Sequence, residues 1–494
     1  MKNLFFIIVS VLIINIVSNK FEKNDILKEN IELKRKKKEL EKQIKDLLIY
    51  KQAAEKGNCQ MKIPITLCIL TRESSSIVDM YDRYYKEALQ CDAFRFKYYQ
   101  DTYDDKERDK ITDQMIRDGC KIWIGFSSSD DYKKQQKKVR DHDVLVFTTG
   151  VTSTSFRNDP NLFQMGGIND KQVLTLKKYC ERENVQDVIL VTRSDEFGKN
   201  FEYITKNMNQ IFKNVEFTMP LRVFNTITYE DEWNGDQYNI KPDSKEIASS
   251  ICSSTNELLK KINPSKKISV WYAMFGEEYK LISKDVWKIC ANLVISKQVV
   301  FLSTDGLSMD PIIKENQEIA DITYQSKMLI LSYEGNNVKK YERLQFYEKN
   351  RNIYKYSHPY QLLNFDSIRL ILESYLHIYS HKNMNKTIQQ IITTSKYCKG
   401  ISGDLDLSNH KTREFGDYTL YTIRKNDVQN ISQYYSFYQW TEMYVLKYKE
   451  LFFENIPNLI EEDHSTNLQI SLNEIINNAS KINNCIKNVL NMVL

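Results

Sequence analysis

Two short stretches, Ser127-Ser128-Ser129 and Thr148-Thr149-Gly150-Val151-Thr152, carry residue types suited to holding an anion. Hydroxyls and free backbone N–H groups at a helix start attract negative charge, and the helix dipole adds to the attraction. The first stretch directly precedes a polar run, DDYKKQQKKVRD, about one helix long; Gly150 in the second permits close backbone approach. For either cluster alone, helix capping and turn chemistry account for the hydroxyls. Two clusters on successive strands, with Thr152 23 residues after Ser129, favour a shared binding site.

Other chemistries have less support. Only 14 glycines occur, and GxGxxG, GxxxxGK[ST], HExxH and GxSxG are all missing, which removes the usual phosphate, zinc and serine-hydrolase cues. His377 and His381 could share a helix face, but no third ligand accompanies them. Acidic pairs such as Asp195-Glu196 are ordinary in loops. We therefore expect no enzyme, no metal and no cofactor.

The hydroxyl clusters need a scaffold that brings strand ends together. From 61 to about 300, short β-rich runs alternate with helical stretches. The strand candidates are IPITLCIL (63–70), FRFKYY (94–99), KIWIG (121–125), VLVFTT (144–149), DVILVT (187–192), ISVWYA (268–273) and VVFLS (299–303). In SIVDMYDRYYKEAL, Ile77, Met80, Tyr81, Tyr84 and Ala88 form one helical face; further helices are expected at 358–380 and 385–396. Near-continuous apolar strands separated by helices indicate parallel sheets covered on both faces. In such sheets ligands sit outside the carboxyl ends of the strands, where both hydroxyl clusters lie. GDLDLS and DYTLYTIR read as a closing hairpin, and residues 225–247 as an insertion.

A chain of 494 residues is too long for one ordinary domain. Its 70 Lys+Arg against 65 Asp+Glu leave only +5, which does not suggest a nucleic-acid partner. Leu4 to Val17 is an apolar run behind a lysine, short for a membrane span and suited to a signal-peptide core ending near Ser18; an uncleaved N-terminal anchor is the alternative. Residues 21–57 are highly charged, and Ile26, Leu33, Leu40 and Leu47 recur every seven residues, the pattern of a helical stalk with half a coiled-coil seam and a possible homodimer contact. Nine cysteines lack CxxC spacing; Cys68, inside ITLCIL, reads as a buried core thiol rather than a bridge member. Asn385, Asn430 and Asn478 lie in sequons. The tail after 430 reads as helical.

In their order along the chain, IGFSSS, VFTTGVTS, LFQMGGIND, VILVTRSDEFGKN, FLSTDG and GISGDLDLSNHKTREFGDYTLYTI resemble the type I periplasmic-binding superfamily. That superfamily includes the branched-chain amino-acid binding proteins and the ligand-binding region of metabotropic glutamate receptors. The resemblance covers about 61–425. It implies an α/β fold of two parallel-sheet lobes joined by three crossovers, with closure around a ligand as the working motion. The expected order is a leader or anchor at 1–18, the stalk at 21–57, lobe I at 61–171 with 334–400, lobe II at 172–333 with 401–425, and the tail at 426–494.

The resemblance also implies site residues. Ser129 and Thr152, with backbone at Gly150 and Val151, match the groups that hold an amino-acid carboxylate. Asp305 in STDG matches the acid on the ammonium, and Asp170 in GGIND a second one. Phe197 matches an aromatic that is usually tyrosine, and Phe275 falls near another pocket aromatic. A zwitterion needs neutral donors at one end and an acid at the other, which these residues would supply. The connection TRESSS is short where side-chain specificity is often set, and Arg72 within it reads more readily as a solvated arginine than as a contact to an acidic side chain. The expected function is extracytoplasmic binding of a small zwitterion, with the chain periplasmic, secreted or at the cell surface. It would serve a membrane permease, act as a sensory ectodomain, or use the fold as an interaction module.

Overall fold

The computed structural model describes residues 65–72, 94–234, 237–308, 313, 316–335, 363–364, 366–368, 370–371, 374, 398–400, 403–405, 407, 417–425 and 438–446. All of them fall in one of the chain's two compact units, Ile65–Tyr84 with Phe94–Leu494. The leader, the stalk, the helices expected at 77–88 and 385–396, His377, His381 and the three sequons lie outside the described residues.

Five parallel strands form the first sheet in the order β2-β1-β3-β4-β5: β1 Ile65–Thr71, β2 Phe94–Gln100, β3 Ile122–Ile124, β4 Leu145–Thr148 and β5 Leu162–Gln164. Leu67 to Leu70 and all of β3 are buried, as central strands covered on both faces must be. Helices α1 (Asp105–Arg117) and α2 (Ser129–Asp141) follow β2 and β3. Each starts where a side chain takes up an orphan amide: Asp104 accepts from the N–H of Glu107, and Ser128 from that of Asp131. Trp123, Phe126, Tyr132 and Phe156 fill this lobe's core.

The second sheet has eight strands, in the order β15-β14-β11-β10-β9-β6-β7-β8. β6 (Val185–Arg193), β7 (Arg222–Asn234), β9 (Lys267–Ala273), β10 (Val299–Ser303) and β11 (Leu329–Gly335) run parallel. β8 (Gln237–Lys241), β14 (Asp417–Lys425) and β15 (Tyr438–Leu446) are antiparallel to their neighbours. Helices α3 (Asn169–Arg182), α4 (Glu196–Lys206), α5 (Met208–Ile211), α6 (Ser244–Lys261), α7 (Gly276–Val294) and α8 (Gln317–Gln325) complete this lobe. In α4, Phe197, Phe201 and Ile204 form the buried stripe. The passage from the first sheet to the second between β5 and β6 is described; residues 336–362, where the chain would return, are not.

The seven strands expected from sequence all form, within a few residues of the expected bounds. Four further expectations need correction. The segment 225–247 is not simply an insertion: β7 pairs with β6 over Asp187–Arg193, and its far half runs on to form a hairpin with β8 at the sheet edge. GDLDLS and DYTLYTIR do not pair with each other. Gly403–Leu405 (β13) pairs with Cys398–Gly400 (β12), and β14 lies between β11 and β15. Tyr418 through Ile423 are buried on both strand faces, which requires such an inner position. The tail is not helical over Tyr438–Leu446, an aromatic- and Thr/Val-bearing run that pairs with β14; residues 426–437 and 447–494 lie outside the described residues. Cys68 is buried as expected but bridges to Cys120, because parallel pairing of β1 with β3 brings their Cα atoms within 5.9 Å. A second bridge, Cys252–Cys290, ties α6 to α7.

The carboxylate of Asp159 anchors α2. It accepts from Tyr132 Oη at 2.8 Å, Gln136 Nε2 at 2.7 Å, Arg140 at 3.0 Å and the N–H of Asn161 at 3.0 Å. Burial alone would raise its pKa, but these donors outweigh burial and hold it below the usual carboxylate range. With the folded-state value depressed, its stabilisation is present above the unfolded value of about 3.9 and is lost as pH falls through the folded one. Asp159→Asn should therefore destabilise by about 1–3 kcal/mol at pH 7. The gap to wild type in urea titrations should narrow on acidification below about pH 4; a gap independent of pH would rule this out.

Candidate functional site

The strand ends of the two sheets converge on one cavity of about 740 Å³. On the first-lobe side, the two hydroxyl-bearing turns dock against each other. Ser129 Oγ accepts from the N–H groups of Thr152 (3.1 Å) and Ser153 (3.0 Å). Thr148 Oγ1 donates to the Phe126 carbonyl (3.0 Å) and accepts from the N–H groups of Gly150 (3.3 Å) and Val151 (3.2 Å). Gly150 packs so closely that a Cβ there would sit 2.3 Å from the Ser127 carbonyl oxygen. One helix and one strand, α2 and β4, separate Ser129 from Thr152 and bring the chain back beside β3, which explains the 23-residue interval.

These contacts revise the expected anion site. Ser129 is 1% exposed, does not line the cavity and uses its oxygen to hold the neighbouring turn. Val151 belongs to the first-lobe core, and the Gly150 and Val151 amides are already bonded. Thr152 does line the cavity, and among the described residues its buried Oγ1 has no hydrogen-bond partner. Other buried hydroxyls, such as those of Thr192 and Ser283, also lack a partner among the described residues, but of these only Thr152 lines the cavity. Ser129→Ala should act on the turn itself, removing the acceptor of two buried N–H groups. We expect a loss of about 1–3 kcal/mol in thermal or urea stability without any ligand added; an unchanged stability would contradict this role.

Arg72 is not a solvated arginine. It follows β1, meets Asp101 (3.4 Å) and Asp131 (3.2 Å), and its guanidinium lies 3.8 Å from the Tyr103 ring centre. Arg108, 1% exposed, grips the same two carboxylates at 3.0 and 2.8 Å. Burial lowers the Arg108 pKa, but Asp131, Asp101 and Asp105 more than offset it and raise it overall. Ser127 donates to Asp101 Oδ2 at 2.6 Å.

On the second-lobe side the ends of β6, β9 and β10 supply the wall. Phe197 and Phe275 form a tilted pair with ring centres 5.7 Å apart. Arg193 lies 5.0 Å over the Phe275 ring and pairs with Asp195 (2.7 Å), Asp231 (2.8 Å) and Glu278. Glu278, 1% exposed, also accepts from Tyr238 Oη (2.6 Å), Tyr229 Oη (3.3 Å) and the Phe275 N–H (2.5 Å). Burial raises its pKa, and Arg193 opposes that shift. Asp305, 4% exposed, lines the cavity at the end of β10, and its N–H donates to Gln172 Oε1 at 3.3 Å.

Of the expected ligand residues, Gly150, Thr152, Phe197, Phe275 and Asp305 line this cavity together; Ser129, Val151 and Asp170 do not. Asp170 is turned away, in an ion pair with Arg157 at 2.6 Å. From the same helix it is Gln172 that reaches Asp305. Sequence reasoning missed Arg193, Glu278, Asp231 and Tyr238. Arg193 was legible as a charge at a strand's carboxyl end, but its partners lie in other elements. The lobes also touch beside the cavity: Ser153 and Ser155 donate to Glu196 Oε1 at 3.0 and 2.6 Å, and the Thr154 N–H donates to Asn200 at 3.1 Å.

No protein-family model matches the chain, and no curated protein does. Solved structures do. A leucine-binding protein from Thermotoga maritima is 12% identical and superposes with a TM-score of 0.55, over 78% of this chain and 100% of its own. A leucine-, isoleucine-, valine-, threonine- and alanine-binding protein from Brucella ovis, in a closed conformation, is 12% identical with a TM-score of 0.56, over 79% and 96%. A solute-binding protein of an ABC transporter from R. palustris, in complex with 4-hydroxybenzoate, is 11% identical with a TM-score of 0.57, over 78% and 97%. With two sheets whose strand ends face one cleft, this chain has the type I periplasmic-binding-protein fold.

Proposed function

We propose that the chain binds a small zwitterionic solute, an α-amino acid, between its lobes, with closure as the working motion. The observation that carries this reading is the pairing, on one cavity, of the partnerless Thr152 hydroxyl from the first lobe with the Asp305 carboxylate from the second. The first suits a ligand carboxylate and the second an ammonium, beside the Phe197 ring. The role is binding rather than catalysis, delivering the solute to a membrane permease. Two disulfides support an extracytoplasmic location, since reducing compartments rarely sustain them. Among the described residues no helix is long and apolar enough to cross a membrane.

Calorimetry of the full chain against the common amino acids and benzoate tests the reading. An amino acid should bind, and Asp305→Asn should weaken it by about 2–5 kcal/mol because the ammonium loses its counter-charge in a closed cleft. Thr152→Val should weaken binding by about 1 kcal/mol while leaving the ligand-free protein as stable or more so, since the lost hydroxyl has no partner to strand. Benzoate binding with no amino-acid binding, or an Asp305→Asn variant that binds as well as wild type, would overturn the assignment.

A further inference from the structure

Resting on that reading, we propose that the ligand is an amino acid with a second positive charge on its side chain, read by the β7–β8 hairpin through Asp231 and Tyr238. Of the charged side chains lining the cavity, eight are carboxylates and five are cations. The arginines among them are already committed to carboxylates: Arg72 to Asp101 and Asp131, Arg108 to those two and Asp105, and Arg193 to Asp195, Asp231 and Glu278. An acidic ligand side chain would meet more carboxylates than cations, with the arginines already facing carboxylates, which works against it.

The hairpin brings a different surface into the cavity. Asp231 gives Oδ1 to Arg193, keeps 29% of its side chain exposed, and its other oxygen has no partner among the described residues. Tyr238 from the facing strand lines the same cavity, as do Phe275 and Phe197. Ring faces next to a carboxylate suit an organic cation. At about 740 Å³ the cavity lies well up the range of about 300–1,000 Å³ for small-molecule sites, with room for a long side chain beyond Thr152 and Asp305.

The test is calorimetry of the full chain with lysine, arginine, leucine and glutamate, repeated on Asp231→Asn and Tyr238→Leu, each first checked by thermal melting. Lysine or arginine should bind at least about tenfold more tightly than leucine, with glutamate weakest. Asp231→Asn should erode the cation preference about tenfold, read as the ratio of the lysine to the leucine Kd. Should Asp231→Asn fail to fold, Tyr238→Leu must show the same selective loss. Leucine binding as tightly as the basic amino acids would overturn the charge assignment while leaving the zwitterion reading intact. Binding of no amino acid would remove both. An unchanged lysine-to-leucine ratio in the folded variants would remove the hairpin's role.

Discussion

Glu278→Ala should cost about 3–5 kcal/mol of stability, the range for breaking a buried ion pair by removing one partner. The side chain is 1% exposed and accepts from the Arg193 guanidinium, two tyrosine hydroxyls and the Phe275 amide. Truncation leaves those donors short of an acceptor where water does not reach, and leaves a buried positive charge with less compensation. Asp195 and Asp231 still face Arg193, which places the effect toward the lower end of the range. Glu278→Gln keeps the shape and one good acceptor and should lose about half as much. Urea titration followed by tryptophan fluorescence reads both variants. A loss below about 1 kcal/mol for Glu278→Ala would mean that the network is solvated and dispensable. The cavity wall should suffer with the fold, because Glu278 fixes the amide of Phe275 while its partner Arg193 covers the ring.

Removing the Cys68–Cys120 bridge should be comparably damaging. Its partners are 52 residues apart, and a loop of that length gives about 4 kcal/mol in the chain-entropy account. Cys252–Cys290, with a separation of 38, should give slightly less. At about 2–4 °C per kcal/mol for lobes of this size, loss of the first bridge should lower Tm by about 8–16 °C. The Cys68→Ala/Cys120→Ala pair and the Cys252→Ala/Cys290→Ala pair, melted with and without reductant, separate the two. Reductant should add nothing further from a bridge already removed. Melting that is indifferent to both substitutions would show that the bridges do not constrain the unfolded chain.

Much of this architecture was legible from apolar runs alone. Strands such as ITLCILT and VQDVILVTR are continuously apolar over their centres because both faces are covered, and that pattern survives in one dimension. β5 has only three residues, too few to show a period. β7 was obscured because one strand serves two environments, its first half inside the sheet and its second half in a charged hairpin. The site was legible by type but not by orientation. Ser129, Thr152 and Asp170 all carry suitable groups, yet only Thr152 lines the cavity, a matter of where neighbouring amides and Arg157 draw the other two. The ion-pair wall was illegible for a simpler reason: Arg193 and Glu278 are 85 positions apart, and nothing local announces the pairing.

The stapling of the Thr152 turn by Ser129 has a kinetic side. In the proposed role the first-lobe half of the site would already be ordered before a solute arrives, so that encounter would immobilise little additional chain. In the proposed binding role the second lobe, joined beside the cavity through Glu196 and Asn200, would determine how firmly the complex is shut. Related solutes should accordingly arrive at rates within about one to three decades of each other and differ chiefly in dissociation. Residence time, rather than capture, is where this chain would tell one solute from another.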